Sequence, residues 1–431
     1  MYAEQIEAYE RILSLLANAD EAYLSLLGRA YYTISNYEAS RTCYERCLAL
    51  AEASGDRFQQ MVAINGLALL QGAGGNFEEA IALHQRQLAI AQDLSDKKAI
   101  GAAWGDLGRC YQFKGRYGEA IACHKRYLDS CIAQGDRRGQ AITPDNLGLA
   151  HRALGQWETA TRYHQEGLSM AQTRYDKAGS WGNLGLVELG RGRFAEALSY
   201  FQKYQEISKE IGNRQGEAKA LGNIGIARYY LQQYEVATEA LNGQLAIARE
   251  IGDRQSEGVA LGNLGLVYEA CGDLNRAIVA HQEQLGVMET IGHRQGVKNA
   301  LGNLGNAFYR QGDLEQAAEY HQRCLELSRE LGDAKGVASC LGNLGHVLFS
   351  QLAYEAALGC YEESLSGFRQ VGDRFGEGRA LSHIGIVLLR LGRIQEAGTY
   401  LQAALKIAQS LPDLPTARIV LHQLGEMDEE E

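Results

Sequence analysis

Proline is scarce in this chain, at three residues in 431, while glycine reaches fifty. That balance excludes a collagen-like or disordered chain and suits many helices punctuated by glycine turns. Long apolar runs are missing too. No stretch approaches the ~18 apolar residues that cross a bilayer, so no membrane partner is expected. The opening MYAEQIEAYERILSLLANAD has no basic start and no apolar centre, which argues against a secretory signal and for a cytoplasmic protein. Basic charge is in deficit: 42 Lys and Arg against 53 Asp and Glu leave a net charge of -11, with MDEEE near the end. An acidic surface is a poor match for a phosphate backbone, so nucleic acid is not expected as the main partner.

Catalytic signatures are missing as well. The sequence has no G-x-S-x-G, no H-E-x-x-H and no G-x-x-x-x-G-K-[ST], and no acid, base and nucleophile can be assembled into an enzyme site. Nine cysteines are scattered without a zinc or disulfide framework. Cys43 and Cys47 lie four apart on one helix face, but nothing nearby completes a metal site; they read as reduced, small core residues. No cofactor and no metal are expected.

What the chain does have is repetition. The segment ALGNLGLVYEACGD at 260–273 places Gly262, Asn263 and Gly265 inside an otherwise helical pattern. Each such glycine costs a helix about 1 kcal/mol against alanine. LGNLG recurs at 301–305 and 341–345, forty residues apart. Aligned on Leu261, the same slot holds Leu24, Ile64, Trp104, Pro144, Trp181, Leu221, Leu301, Leu341, Leu381 and Leu421. Every step is 40 except the 37 from Pro144 to Trp181. A small residue stands twelve beyond the second glycine slot, as at Ala277, Ala317 and Ala357.

Each unit reads as two amphipathic helices, the first over roughly 254–270 and the second over roughly 274–291 in the unit around Leu261. IGDR at 251–254, like SGDR at 54–57 and VGDR at 371–374, fits a left-handed glycine ending one helix and an aspartate capping the next. A side chain at Gly265 would hold the two helices apart, so close packing there offsets the loss of helix propensity. His84, His124, His164, His281 and His321 share one slot that other units fill with Phe201, Leu241, Tyr361 or Leu401. The slot is therefore core-like, and with units ~10 Å apart its histidines cannot share a zinc ion.

Leu261, Leu264, Gly265 and Tyr268, with Ala277 following, make this chain resemble the tetratricopeptide repeat family. The forty-residue period is similar to that of the LGN/Pins adaptors, kinesin light chain and bacterial arrays, cyanobacterial ones among them. The resemblance implies an all-α fold: a right-handed α-solenoid of about ten helix-turn-helix repeats with a C-terminal capping helix. The expected plan is an N-terminal helix over 1–20, repeats 1–3 over 21–140, a shortened irregular repeat 4 over 141–177, repeats 5–10 over 178–417, and a cap with an acidic tail over 418–431. In repeat 4, QTRYDKAGSW lacks the usual loop, and Pro144 suggests Thr143 as a late N-cap, with a bend nearby.

The resemblance also implies that first helices line an inner wall. Asn146, Asn183, Asn223, Asn263, Asn303 and Asn343 all stand two after the anchor, off the core stripe. A carboxamide offers the donor and acceptor that match one peptide unit, and relatives in the resembled subgroup hold a bound peptide's main chain in this way. The glycine before each asparagine is expected to leave room for the ligand. Hydrogen bonds of about 0.5–1.5 kcal/mol do not offset the ~1–2 kcal/mol per residue of ordering a peptide, so side-chain anchors are needed. Asn306, Tyr309, Arg310, His346 and Arg390 are the candidates, with Arg109 and Arg152 at the other end. The arginines would attract an acidic or carboxylate-bearing ligand. The competing reading of the asparagines is a bond between adjacent first helices. The expected function is a non-enzymatic adaptor that binds an extended segment of a protein or peptide partner. The alternative is a sensor module that controls an effector on a separate chain.

Overall fold

A computed structural model describes residues 20–34 and 36–410. The expected N-terminal helix over 1–20 and the capping helix over 418–431 fall outside these residues, apart from Asp20. Among the described residues the chain is all-helical, and it divides into two compact units, 1–211 and 212–431.

In the first unit the helices are Glu21–Thr33 (α1), Tyr37–Ser54 (α2), Arg57–Ala73 (α3), Phe77–Asp93 (α4), Lys97–Phe113 (α5), Tyr117–Gln134 (α6), Arg137–Ala153 (α7), Trp157–Met170 (α8), Arg174–Gly190 (α9) and Phe194–Glu210 (α10). The second unit holds Arg214–Tyr230 (α11), Tyr234–Glu250 (α12), Arg254–Ala270 (α13), Leu274–Thr290 (α14), Arg294–Gln311 (α15), Leu314–Glu330 (α16), Ala334–Ser350 (α17), Tyr354–Val371 (α18), Arg374–Arg390 (α19) and Ile394–Ser410 (α20). Within each unit every helix packs against its sequence neighbour, and successive pairs stack into an α-solenoid array.

Most helices run 17 residues and most turns three, so the chain reverses about every twenty residues. Among the described residues nearly every turn carries one left-handed residue, such as Gly252 at φ 71° and Gly272 at φ 80°; the turn at 171–173 has none. Glycine adopts this conformation without a Cβ penalty. Ser95, Gln232 and Leu352 occupy it in three other turns. The expected GDR caps are present: Asp56, Asp136, Asp253 and Asp373 each accept a backbone N–H from the first turn of the helix that follows, and Asp96 and Asp333 do the same without the arginine. An arginine at the first position of the first helix ties four of the hairpins shut. Arg57 pairs with Asp93 at 2.7 Å, and Arg174, Arg214 and Arg294 pair in the same way with Glu210, Glu250 and Glu330.

The second-glycine slot is filled by a side chain of the partner helix. A Cβ on Gly265 would stand 2.3 Å from His281, and one on Gly305, Gly185 or Gly345 would meet His321, Phe201 or Tyr361 just as closely. The small slot beside it, Ala277 or Ala317, is fully buried. The close approach is therefore that of a ring lying on bare backbone.

Repeat 4 departs from expectation twice. Its turn, residues 171–173, keeps the usual three residues; α8 instead stops at 14 residues and ends at an extended Ala171. Thr173 caps α9 by accepting from the Asp176 N–H at 3.1 Å while its hydroxyl donates to the Asp176 carboxylate at 2.7 Å. That pair of bonds fixes the start of α9, and the three residues missing from the repeat come out of the end of α8. Thr143 is no cap either. Asp136 caps α7, which runs through Pro144, and the Thr143 hydroxyl donates to the Gly139 carbonyl at 2.6 Å.

Candidate binding groove

The LGNLG segments lie in α13, α15 and α17, the first helices of three successive repeats in the second unit. Between these helices runs a groove of about 590 Å³. Asn263, Asn303 and Asn343 all border it, with Asn299 and Asn306 on the same wall. Val259 and Leu266, 44% and 39% exposed, add apolar surface. Lys298 and Lys335 border it too, each paired with an aspartate, Asp333 and Asp373 respectively. Against the opposing effect of burial, the Lys298 ammonium and the Gly336 N–H hold the Asp333 carboxyl below the ordinary aspartate range.

Of the other asparagines in the slot, Asn223 lies in the same unit but does not line this groove, and Asn146 and Asn183 belong to the first unit. All six are half-buried. Asn343 Nδ2 donates to Asn306 Oδ1 across neighbouring repeats at 3.4 Å, a long contact. The Asn263 Nδ2 is shielded from solvent and has no partner among the described residues. One of the six thus shows the inter-helix bond of the competing reading, and that bond is weak.

The expected role of the preceding glycines needs correction. Gly222 and Gly262 are buried, and a Cβ there would meet the Gln244 or Gln284 amide at 2.6 Å. On Gly182 it would meet Tyr204 at 3.1 Å. These glycines make room for the chain's own second helix. Only Gly302 and Gly342 are looser, with Cys324 at 3.7 Å and Ser364 at 3.4 Å, because smaller side chains stand where glutamine stands in other repeats.

Several expected anchors are committed within the protein. Arg310 donates to the Glu269 carboxylate at 3.1 Å and to its carbonyl at 3.0 Å, so its charge is already neutralised. Arg109 pairs with Asp106 at 2.5 Å. Arg152 is half-buried, and burial lowers its pKa. Tyr309 shares a hydrogen bond with the Ser350 hydroxyl at 3.0 Å, and Arg390 is exposed at the end of α19. His346 belongs to a ring cluster at a second, smaller cavity of about 70 Å³. Its Nδ1 lies 3.0 Å from the Tyr361 hydroxyl, and its ring meets His383 edge-on at 4.4 Å. Burial and the nearby Arg379 lower the His346 pKa to about 4; burial, His346 and Arg379 lower that of His383 to about 3. Both rings are neutral near pH 7.

Sequence reasoning missed Asn299, Val259, Leu266 and Gln284. Val259 and Leu266 carried a signal, as apolar residues off the core stripe of α13. Gln284 carried none, since its reach to Gly262 depends on the register between helices. Among the described residues, no group of three or more His, Cys, Asp or Glu side chains could hold a metal ion, and no helix is long and apolar enough to cross a membrane.

Comparison with known proteins agrees with the architecture. The tetratricopeptide repeat description matches residues 18–93, 99–173, 176–250 and 296–370, and related repeat descriptions match 260–295 and 343–412. No curated protein matches the chain. Among solved structures, the apo form of the quorum sensor NprR from B. thuringiensis superposes with a TM-score of 0.58 at 15% identity, over 75% of this chain and 94% of that one. Aspartyl phosphate phosphatase F from Bacillus subtilis gives 0.52 at 16%, over 82% and 94%. A Signal Transduction ATPase with Numerous Domains with a tetratricopeptide repeat sensor, from Pyrococcus horikoshii, gives 0.56 at 16%. That match covers 90% of this chain, which spans 54% of the ATPase. At such identities the likeness is one of fold.

Proposed function

The chain belongs to the tetratricopeptide repeat family, and from that premise we propose that it is a non-enzymatic interaction module that holds an extended peptide segment of a partner protein along the groove of α13, α15 and α17. One observation carries the reading: Asn263, Asn303 and Asn343 border a single groove of about 590 Å³. A strand advances about 3.3 Å per residue, and stacked helices stand about 10 Å apart. Successive carboxamides therefore meet roughly every third peptide group. Val259 and Leu266 supply apolar anchorage beside them, and affinity beyond the main-chain bonds comes from such contacts. With its lysines paired, the groove selects less for an acidic ligand than for an extended one.

The test starts from a random-peptide display selected on the full chain. The selected peptides are then titrated against Asn263→Ala/Asn303→Ala/Asn343→Ala. The expected result is a tenfold or greater loss of affinity with an unchanged melting curve. Unchanged affinity would remove the amides from the site, and a collapsed melt would make them structural.

A second reading has support in the fold shared with NprR, described as a quorum sensor, and with an ATPase whose repeats are described as a sensor. In it the bound peptide is a free signal and the output lies on a separate effector chain. The same display distinguishes the two. Selected peptides that bind only with a free terminus favour a signal, and internal sequences favour a partner segment.

A further inference from the structure

Two cysteines from different slots of the repeat meet in space. The slot seven residues after the small residue varies along the chain; it holds Gln87, Gln244 and Gln284 in three repeats, Cys47 in the first and Cys324 in α16. The slot before the anchor holds Ala220, Ala260, Ala300 and Ala380 elsewhere and Cys340 in α17. The two sulfurs stand 2.8 Å apart, both residues are buried at 4% exposure, and both border the groove. A disulfide has an S–S length of about 2.05 Å, so only a small approach separates the thiols from a bond. Around the pair, the Ser328 hydroxyl lies 3.8 Å from Cys340 Sγ, and the Lys298 carbonyl lies 3.6 Å from Cys324 Sγ.

We propose that Cys324 and Cys340 are an oxidative modification site that forms a reversible disulfide with hydrogen peroxide as oxidant, stapling α16 to α17 in the wall of the groove. Cys340 is the attacking thiolate. The neighbouring Cys324 thiol and, more weakly, Ser328 and Lys298 favour its ionised form, against burial and the Asp333 carboxylate. It attacks one peroxide oxygen, the O–O bond breaks, and hydroxide leaves and takes a proton to become water. The resulting sulfenic acid is attacked by the Cys324 sulfur. The S–O bond breaks, the S–S bond forms, and the second oxygen leaves as water with the Cys324 proton. Two thiols lose two electrons in total and the peroxide gains them. The groove gives peroxide a route to sulfurs that larger reagents do not reach. In a reducing compartment such a bond is transient and reports oxidative conditions. The inference does not depend on what occupies the groove.

The test exposes the reduced full-length chain to graded hydrogen peroxide, quenches with acid, blocks free thiols with iodoacetamide in denaturant, and maps tryptic peptides by mass. Arg329 and Lys335 lie between the two cysteines, so the bond joins two peptides; the Cys340 peptide, 336–369, also carries Cys360, and fragmentation of the linked pair assigns the sulfur. The expected first product is the Cys324–Cys340 pair, two hydrogens lighter, formed before the exposed Cys271 reacts and reversed by dithiothreitol. In Cys340→Ala, Cys324 stays alkylatable over the same peroxide range. Full alkylation of both cysteines in the wild type under conditions that oxidise Cys271, or linkage of either to a different cysteine, would overturn the proposal. The wild-type map decides the matter even if the variant folds poorly.

Discussion

Gly265 and His281 form one joint, and the joint recurs along the array with histidine, phenylalanine, tyrosine or leucine as the filler. A Cβ on Gly265 would sit 2.3 Å from His281 Cε1, so the ring or the helix must shift. Overpacking of this kind costs about 1–3 kcal/mol, against a helix-propensity gain of about 1 kcal/mol. Gly265→Ala is expected to lower stability by about 1–2 kcal/mol in urea denaturation. In the background of His281→Ala the same change is expected to be neutral or stabilising, because the Cβ then enters space the ring has left. A double-mutant cycle reads the difference directly; additive effects would show that the two residues do not meet. The core character of the histidine slot was legible in its apolar substitutes. Its glycine partner was not, since the two lie on different helices and their meeting is set by register.

Helix boundaries were the most legible feature of all. The expected 254–270 and 274–291 stand as Arg254–Ala270 and Leu274–Thr290, because caps and turn residues act locally. The exceptions fall in repeat 4, where a local rule met a stronger neighbour. Proline disfavours a helix interior by about 3 kcal/mol, but Asp136 starts α7 seven residues before Thr143, and burial of Ala141, Leu147 and Ala150 holds the helix through it. Pro144→Leu restores both the hydrogen bond to the Gln140 carbonyl and the usual anchor side chain. It is expected to raise stability by about 1–3 kcal/mol, seen as a higher urea midpoint at unchanged m-value. A loss of stability would mean that the packing of α7 has adapted to the ring. The threonine cap at 173 was readable as an S/T-x-x-D/E signature in TRYD, but the shortening of α8 was not, since no local signal marks where a helix stops short of its neighbours' length.

At the scale of the whole molecule, burial of histidine sets the response to acid. His124, His321 and His346 have pKa values lowered to about 4, and His383 to about 3, with burial as the leading cause in each. The unfolded chain protonates these rings near pH 6.5, while the folded chain keeps them neutral down to about pH 4. Between those limits the unfolded state binds more protons, so stability falls as pH falls. Above pH 6.5 these four groups make no contribution to the slope. Each contributes up to about 1.4 kcal/mol per pH unit inside the window. Thermal melts from pH 8 to pH 4 are expected to be flat at first and then to decline, and His346→Gln/His383→Gln should reduce the decline. The array itself could be foreseen from its period, because repetition multiplies a weak signal. The groove could be foreseen only in its asparagines, since its depth, its paired lysines and its apolar rim depend on how three hairpins stack.

From Gly192 to Gly392 the left-handed turn residues fall at a constant spacing: Gly252, Gly272, Gly292, Gly312 and Gly332 are each twenty apart. One such beat turns the chain round and two bring it back. Gain or loss of a single beat would send every later helix antiparallel to its former course and exchange the amide-bearing helices with the ring-bearing ones. Growth or shrinkage of this protein by duplication therefore has to come in even counts. The turn at 171–173 lacks a left-handed residue and α8 is three residues short, yet a helix still follows in antiparallel order, so one beat is shortened and none is lost.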